Sequence, residues 1–524
     1  MSPRMVIGGL VCALTLGALS TPAPADEPKD LYRPVYHFTP PQNWMNDPNG
    51  LVYFDGEYHL FYQYNPFGIT WGHMSWGHAV STDLVTWEHL PVAIPEADGI
   101  MAFSGSAVYD AANTSGLGEG HTGPLVAIYT GHRPSDGRQN QWIASSNVRG
   151  RTWKKFEGNP VLDIGSNNFR DPKVMWYEPG KCWVMVVSLS EDRKVQFYSS
   201  PDLKSWTHMS DFGSAGTTHG IWECPDFFEL PIDGNSSDRR WVLIVNVGWG
   251  GPQGGNGCQY FVGNFDGKTF TPDPTWKSDT VAWLDHGRDF YAAVTWSGVP
   301  ALPGEREGRR IALGWMVNGE YASVTPTWPW RSAMTIPREL SLRQTTAGLR
   351  VFQRPVRELE SARGKRVELG GGSVAQVSER IEKAGIKCTS LEIRAKFKTS
   401  GATRRGLRVH MGDGEFTEVG YDRARKCGYI DRRSSGNTEF HPAFSGVHEA
   451  RLGDAGEGAE GGGVVEMHIF IDVCSVEAFF NGGERVVTDL VYPTTQEGKI
   501  EVFESGGKAE VVEISVWEIK PGRE

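Results

Sequence analysis

Pairs of short apolar runs joined by a polar turn recur along residues 35–345. Residues 51–54 are followed by Asp55-Gly56-Glu57 and then by a second apolar run over residues 58–64. Apolar runs of this length, bounded by Gly, Pro and Asp, are typical of β-strands joined by tight turns. The pattern therefore predicts β-hairpins here and at residues 173–187 and 227–247, with weaker copies at residues 125–129 and 311–317.

A second repeat reinforces the first. Residues 81–87 and 200–206 share the pattern S-x-D-L-x-x-W, and a looser copy ends at Trp153. Recurrent short strands with one aromatic residue in each unit are typical of a β-propeller, although a β-sandwich also produces such repeats. The repeat therefore favours a propeller for this region and leaves a sandwich open.

The pattern changes after Pro355. Aromatic residues become scarce, and residues 391–397 and 467–473 alternate between apolar and polar side chains. Alternation predicts strands with one buried and one exposed face, as in a β-sandwich. We therefore predict an all-β chain with a boundary near residues 345–360, which separates a first domain over residues 26–350 from a second over residues 351–524.

Composition agrees with many short strands and excludes several classes of protein. The 524 residues include 64 glycines, and 11% of the residues are aromatic. Glycine supplies turns, and aromatic side chains favour strands. The formal net charge is -11 and no basic stripe is visible, which argues against a nucleic-acid partner.

The N-terminus has the features of an export signal. An apolar run over residues 6–19 follows Arg4, and Ala23-Pro24-Ala25 has the form of a small-residue cleavage site. The run is too short to span a bilayer. We predict a signal peptide over residues 1–25, no membrane span, and a secreted or periplasmic protein; a buried N-terminal helix is the alternative.

Six cysteines follow the predicted signal peptide, far apart in sequence and without a C-x-x-C pair. Such spacing gives neither a disulfide framework nor a zinc signature. We interpret them as mostly buried small apolar residues: Cys182, Cys224, Cys258, Cys388, Cys427 and Cys474.

Three acidic residues occupy the same place in three hairpins. Asp47, Asp171 and Glu223 each stand just ahead of an apolar run, and each is followed within two residues by Pro. In a propeller, the starts of the first strands of all blades surround the central axis. The sequence therefore predicts that three carboxylates from three blades converge in one funnel.

Converging carboxylates suit glycosidic-bond cleavage, in which one carboxyl group protonates the leaving oxygen and another attacks the anomeric carbon. Two other interpretations stay open: a calcium site built from three carboxylates, and turn caps before proline. The surroundings favour a sugar, because tryptophans that can stack on sugar rings lie in segments rich in Gly, Asn and Gln: Trp44, Trp71, Trp76, Trp222, Trp249, Trp328 and Trp330.

Six motifs in order resemble one enzyme family. They are W-M-N-D-P-N-G at residues 44–50, F-Y-Q-Y-N-P at 61–66, W-G with W-G-H over 71–78, F-S-G-S at 103–106, F-R-D-P at 169–172 and W-E-C-P at 222–225. Their order is similar to that of glycoside hydrolase family 32, and the chain looks most like the exo-acting inulinases and levanases of that family. The resemblance covers nearly the whole chain after the predicted signal.

The resemblance implies a five-bladed β-propeller followed by a β-sandwich. It also implies a retaining β-fructofuranosidase that releases terminal fructose from fructans such as inulin or levan, and from sucrose, without a cofactor or a metal. By motif, Asp47 is the nucleophile, Glu223 the general acid/base, and Asp171 the residue that binds sugar hydroxyls and stabilises the transition state. The residues that fall where the family holds the terminal fructose are Asn46, Gln63, Trp71, Phe103, Ser104, Arg170 and Trp330.

The retaining mechanism that the resemblance implies requires particular protonation states of the acidic residues. Arg170 is expected to keep the neighbouring Asp171 carboxylate ionised, and Trp222 with Phe227-Phe228 to favour the protonated form of Glu223. Two alternative functions stay open: an inverting five-bladed pentosidase, and a non-catalytic fructan-binding protein. For the sandwich, packing support and sugar binding are both open, and the sequence leaves the oligomeric state undecided.

Overall fold

The computed structural model describes residues 30–119, 122–276, 281–302, 308–453, 463–495 and 497–520. The signal peptide predicted for residues 1–25 lies outside this part of the chain. Within it, almost all regular structure is β-strand, as the sequence predicts, and no helix is long and apolar enough to cross a membrane.

The first three blades are antiparallel sheets whose strands follow one another in the chain. The first blade contains β1 (Asn43–Phe54), β2 (Glu57–Asn65), β3 (Ser75–Ser81) and β4 (Glu88–Ile94). The second contains β5 (Met101–Tyr109), β6 (Leu125–Arg133), β7 (Arg138–Ser146) and β8 (Lys154–Lys155). The third contains β9 (Phe169–Tyr177), β10 (Cys182–Leu189), β11 (Lys194–Ser200) and β12 (Thr207–Phe212). The hairpins predicted at residues 51–64 and 173–187 are therefore confirmed.

The fourth and fifth blades are joined by a parallel contact between Ile232 and Leu342. The fourth contains β13 (Trp222–Ile232), β14 (Asn235–Val247), β15 (Gly257–Phe265), β16 (Phe270–Pro272) and β17 (Ala282–Trp283). The fifth contains β18 (Tyr291–Thr295), β19 (Ile311–Met316), β21 (Ala333–Met334), β22 (Arg338–Thr345) and β23 (Gly348–Pro355). The intervening β20 (Trp330–Arg331) pairs with β1, so the last blade closes the ring onto the first.

The S-x-D-L-x-x-W repeat forms the turn between the third and fourth strands of a blade. The Asp83 carboxylate accepts the backbone N–H groups of Val85 and Thr86, and Asp202 accepts those of Lys204 and Ser205. The leucine of each copy, Leu84 or Leu203, is buried with φ at 61°. The repeat therefore has a structural role, as its regular placement predicts.

Two sheets of a β-sandwich follow the propeller. One contains β24 (Arg363–Glu368), β25 (Gly372–Ser373), β26 (Leu391–Lys398), β31 (Val464–Asp472), β32 (Ser475–Phe480), β33 (Arg485–Leu490) and β35 (Glu510–Ile519). The other contains β27 (Arg404–Met411), β28 (Phe416–Asp422), β29 (Cys427–Ser434), β30 (Val447–Arg451) and β34 (Lys499–Ser505). The helical segments are α1 (Val374–Ala384) and 3-10 turns at Glu178–Gly180, Ala322–Val324 and Arg357–Ala362.

Apolar clusters fill the spaces between neighbouring blades and between the two sandwich sheets. One further cluster crosses from the propeller to the sandwich and includes Trp44 and Trp330 on one side and Phe470, Phe479 and Leu490 on the other. Buried apolar area is the main stabilising contribution to folding. The two domains therefore share part of one core and support each other.

Candidate active site

The inner strands β1, β5, β9, β13 and β18 contact one another in turn around the propeller axis. Each shows a register shift near its start, at Met45/Pro48, Ala102/Gly105, Arg170/Lys173, Glu223/Asp226 and Tyr291/Val294 respectively. Such bulges commonly re-aim side chains beside active sites. Proline fits at a bulge because it cannot donate to the strand ladder, which explains the acid-and-proline pattern in the sequence.

The bulges aim the three predicted acids at one place. The Cys224 side chain links two of them, because its Sγ lies 3.5 Å from Asp47 Oδ2 and 3.6 Å from Asp171 Oδ2. The Cys224 backbone N–H also donates to Asp171 Oδ2 at 2.9 Å. Arg170, beside Asp171 in the chain, donates to Glu223 Oε1 at 3.0 and 2.9 Å. The carboxylates of β1, β9 and β13 therefore form one connected cluster.

Asp47 is held by neutral donors. Ser104 Oγ donates to Asp47 Oδ2 at 2.7 Å, and Asn46 Nδ2 donates to Oδ1 at 3.0 Å. Asn46 is itself oriented by Trp44, whose Nε1 donates to the Asn46 amide oxygen at 2.8 Å. Burial raises the pKa of Asp47, and the hydrogen bonds from Ser104 and Asn46 oppose that rise. These donors favour the ionised form in a fixed orientation, as a nucleophile requires.

Asp171 is a buried acid whose pKa is raised far above its ordinary value. Burial raises its pKa to about 7; the Arg170 guanidinium opposes this rise, and the carboxylates of Glu223 and Asp47 add to it. Arg170 thus favours the ionised form of Asp171, as expected, but burial outweighs its effect on the pKa. The guanidinium of Arg170 hydrogen-bonds Glu223 and Gln139 Oε1, 3.2 Å away.

Glu223 is surrounded by polar partners. Arg170 contacts its Oε1, and the Tyr291 hydroxyl donates to its Oε2. The aromatic rings expected to surround it lie elsewhere: Trp222 packs on Phe212 and Phe261 in the core between blades, and Phe227 belongs to the same apolar cluster. Phe228 lies in a different apolar cluster, between the fourth and fifth blades. The expectation that these three rings surround Glu223 is corrected, because neighbouring residues of β13 face opposite sides of the blade and pack against the blades next to it.

Two residues at the site were missed as participants by sequence reasoning. Burial raises the pKa of the Tyr291 hydroxyl and of the Cys224 thiol well above their ordinary values, with the nearby carboxylates adding to both. Both groups therefore keep their protons and act as donors. Cys224 lies within the matching motif at residues 222–225 and Tyr291 lies outside the six motifs, and neither is an acid followed by proline, the pattern that singled out the carboxylates.

The other predicted sugar-binding residues fall into two groups. Gln63 is buried and donates to the Ala102 carbonyl at 3.0 Å. Trp71 is 52% exposed and its ring meets the edge of Phe103, whose own ring stacks on His132 at 4.4 Å. Trp71 and Phe103 therefore offer an apolar surface next to Ser104, on the same strand as Phe103.

Trp330 differs from the sequence expectation. Its side chain is only 1% exposed, packs in the core shared with the sandwich, and lies under the guanidinium of Arg33. A ring covered in this way has no face for a sugar. Burial likewise removes Trp44, Trp76 and Trp222 from the predicted stacking set, whereas Trp71, Trp249 and Trp328 remain exposed.

The calcium interpretation is not supported. Among the described residues, no group of three or more His, Cys, Asp or Glu side chains is arranged to hold a metal ion. The carboxylate oxygens of the cluster instead accept from Ser104, Asn46, Arg170, Tyr291 and the Cys224 backbone.

Removing the Tyr291 hydroxyl tests its contact with Glu223. Because a donated hydrogen bond favours the ionised carboxylate, Tyr291→Phe is expected to move the alkaline limb of the kcat/KM profile about one pH unit upward. The pH dependence of substrate cleavage measures this shift. Tyr53→Phe, on a ring that packs against Tyr58, serves as a control, and an unchanged limb in Tyr291→Phe contradicts the assignment.

Comparison with known proteins agrees with this geometry. Residues 37–355 match the model of the glycosyl hydrolases family 32 N-terminal domain, and residues 358–518 match that of the glycosyl hydrolases family 32 C terminal. The chain is 49% identical over 495 residues to a levanase of Bacillus subtilis (strain 168), covering 93% of this chain and 70% of that protein. It is 38% identical over 543 residues to an extracellular exo-inulinase of Aspergillus ficuum, covering 97% and 98% respectively.

The solved structures that this chain resembles agree with the sequence comparisons. An exo-inulinase from Aspergillus awamori superposes with a TM-score of 0.84 at 36% identity, covering 94% of this chain and 98% of that one. A β-fructofuranosidase from Schwanniomyces occidentalis complexed with fructosyl-erythritol superposes with a TM-score of 0.82 at 32% identity, covering 93% and 98%. Both domains of the chain thus belong to glycoside hydrolase family 32, and the protein is a glycosidase.

Proposed function

We propose that this chain is an exo-acting, retaining β-fructofuranosidase that releases terminal β-D-fructofuranose from fructans such as inulin or levan, and from sucrose. The observation that carries the proposal is the convergence of Asp47, Asp171 and Glu223 from three blades at the axis. The relatives named levanase and exo-inulinase support the substrate class.

In the first step, the Asp47 carboxylate attacks the anomeric C2 of the terminal fructosyl unit. The bond from C2 to the glycosidic oxygen breaks, Glu223 gives its proton to that oxygen, and an ester forms between Asp47 and the sugar. Ser104 and Asn46 hold the attacking carboxylate in place. Arg170 and Tyr291 stabilise the negative charge that develops on Glu223 as its proton leaves.

In the second step, the Glu223 carboxylate accepts a proton from a water molecule, whose oxygen attacks C2. The ester to Asp47 breaks, free fructose leaves, and two inversions at C2 give net retention. Asp171 accepts hydrogen bonds from sugar hydroxyls, and Trp71 and Phe103 contact the substrate at the rim. No cofactor takes part in either step of this proposal.

The products and their stereochemistry test the proposal. We expect free fructose as the only early product from inulin and levan, and NMR observation of the nascent sugar should show the β-furanose before it mutarotates. A ladder of oligosaccharides from inulin contradicts exo action, and an inverted anomer indicates the inverting class of pentosidase. A protein that binds fructans without releasing any sugar is the non-catalytic alternative.

We also propose that the protein is exported and that its signal peptide is removed after residue 25, leaving a propeller over residues 26–350 and a sandwich over residues 351–524. The apolar run, the cleavage-like A-x-A segment and the relatives described as extracellular support export. N-terminal sequencing of the secreted protein tests this, and a mature chain that retains residues 1–25 contradicts it.

A further inference from the structure

The sandwich holds the segment that leads into the fifth inner strand. Backbone N–H groups of His286 and Asp289 donate to the carbonyls of Val486 and Thr488 on β33, at 2.8 and 3.1 Å. The Leu490 N–H, also on β33, donates back to Asp289 Oδ2 at 2.8 Å. Residues 286–289 therefore lie along an edge strand of the sandwich, directly before β18 of the propeller.

One sandwich side chain fixes this attachment. Arg432 on β29 is fully buried and donates to Asp289 Oδ2, and it also donates to the Tyr321 hydroxyl at 2.9 Å. The Tyr321 hydroxyl donates in turn to Asp289 Oδ1. The remaining Arg432 donors reach the carbonyls of Phe444 and Leu490, at 2.6 and 2.9 Å. Both oxygens of Asp289 thus accept hydrogen bonds, and four of the five N–H donors of the Arg432 guanidinium have protein acceptors.

The attachment lies two residues from Tyr291, the tyrosine that contacts the acid/base Glu223. Asp289 is followed by Phe290, which is buried in the fourth and fifth blades, and then by Tyr291, whose hydroxyl donates to Glu223. The backbone on either side of Phe290 has little freedom, because Asp289 is anchored to the sandwich and Tyr291 pairs with Trp315 on β19. The position of the Tyr291 ring therefore depends on the Asp289 anchor.

We propose that Arg432 of the sandwich is a positioning residue for the acid/base Glu223, acting through Asp289 and Tyr291. The inference rests on the function proposed above and gives the sandwich a part in the chemistry beyond packing. The hydrogen bonds of Arg432 go to Asp289, Tyr321, Phe444 and Leu490, and none goes to the three acids of the site.

The energetics favour such a role. Removing one partner of a buried ion pair leaves the other charge uncompensated, so Asp289 must move or recruit water when Arg432 is lost. A hydrogen bond weakens steeply with distance and angle, and small misplacements at an active site cost much of the rate. A shift of Asp289 is therefore transmitted to the contact between Tyr291 and Glu223.

The pH profile separates positioning from simple support. The groups that face Glu223 are Arg170 and Asp171 from β9, Asp47 from β1, Cys224 from its own strand and Tyr291 from β18. A substitution at Arg432 leaves all five side chains in the sequence. A change in the alkaline limb of kcat/KM in that variant that disappears in a Tyr291→Phe background therefore reports a change at the contact between Tyr291 and Glu223.

A double-mutant cycle on the full chain assigns that partner. We expect Arg432→Met to lower kcat about tenfold and to move the alkaline limb upward by about half a pH unit. In a Tyr291→Phe background, adding Arg432→Met should cause no further shift of the alkaline limb of the kcat/KM profile. Fructose release from sucrose across a range of pH gives all four profiles.

The matched control is Arg309→Met. Arg309 is also buried, with 6% of its surface exposed. It donates to Glu339 at 2.8 Å and to Glu358 at 3.0 Å, and it precedes β19, at the opposite end of that strand from Trp315. The Arg309→Met substitution should lower the melting temperature without shifting the alkaline limb of the kcat/KM profile. If Arg432→Met unfolds the chain, Arg432→Lys replaces it as the test. Lysine keeps the positive charge but lacks the planar guanidinium that donates several hydrogen bonds at once, so the same shift of the alkaline limb is expected.

Two results overturn the inference: an alkaline limb that stays fixed in the Arg432 variants, or one that moves equally in the Tyr291→Phe background. A wild-type protein that releases no fructose overturns the proposed function instead, so the two failures are distinguishable.

Discussion

Asp47→Asn is expected to lower kcat by about four to six orders of magnitude while the fold is retained. The amide has the shape of the carboxylate and keeps Ser104 as a neighbour, but it cannot form the ester to C2. Burial of the ionised carboxylate is unfavourable at this position, so the loss of charge should not destabilise the protein. Initial rates of fructose release from sucrose and circular dichroism measure the two effects.

Glu223→Gln is expected to lower kcat on natural substrates by a similar factor, but it can be distinguished from Asp47→Asn by its reaction with an activated fructoside. The amide cannot protonate the glycosidic oxygen, so natural substrates should react very slowly. A fructoside with an activated aryl leaving group needs no proton, so its first step should survive and the fructosyl-enzyme should accumulate. Mass spectrometry would then show one added fructosyl unit on Asp47. Near-normal hydrolysis of sucrose by either variant refutes the assigned roles.

Asp171→Asn has the next largest expected effect, and it acts on activity and stability in opposite directions. At pH 7.5 activity should fall by about three orders of magnitude, because the ionised carboxylate accepts hydrogen bonds from sugar hydroxyls with both oxygens, whereas the amide accepts with only one. Burial raises the pKa of Asp171 to about 7, above the usual value of a carboxyl group. The folded state therefore binds a proton more tightly than the unfolded state does.

The sign of the stability effect follows from this linkage. Below about pH 4 the carboxyl is protonated in both states and contributes no penalty; between about pH 4 and pH 7 ionisation is opposed only in the folded state, so stability falls as pH rises. Asp171→Asn removes the penalty. At pH 7.5 we expect the free energy of unfolding of the variant to exceed that of the wild type by about 2 kcal/mol, so that the variant unfolds at a higher temperature. At pH 4 the two proteins should unfold at the same temperature.

A buried acid on the same axis provides the control. Asp226 is paired with Lys173, whose Nζ lies 3.1 Å from Asp226 Oδ2, and Asp226→Asn leaves that cation without its partner. It should destabilise the protein at pH 7.5, the opposite of Asp171→Asn. Thermal unfolding of both variants across pH measures this contrast, and equal destabilisation contradicts the linkage argument.

Local patterns account for most of the fold that could be predicted. Short apolar runs separated by Asp and Gly specify hairpins, and the alternation after Pro355 specifies half-exposed strands, because both depend on neighbours in the chain. The three acids were also visible, since proline at a strand bulge leaves a trace next to Asp47, Asp171 and Glu223.

Long-range contacts account for what could not be predicted. Arg170 stands beside Asp171 in the sequence but reaches Glu223 on the next blade, and Tyr291 becomes a partner of Glu223 only when the fourth and fifth blades meet. Trp330 falls at a position where the family holds the terminal fructose, yet its burial depends on packing against the sandwich and on Arg33. None of these pairings is encoded by spacing along the chain.

The pairing of Asn43 with Trp330 and of Trp44 with Arg331 also bears on how the protein is made. The strand that carries Asp47 gains its closing neighbour only from a segment synthesised much later. Contacts between residues so far apart in sequence form slowly, because the intervening chain must first be ordered. The ring around the three acids therefore cannot close until the segment at residues 330–331 is in place, and any earlier state that contains only the first blades has an exposed edge at β1.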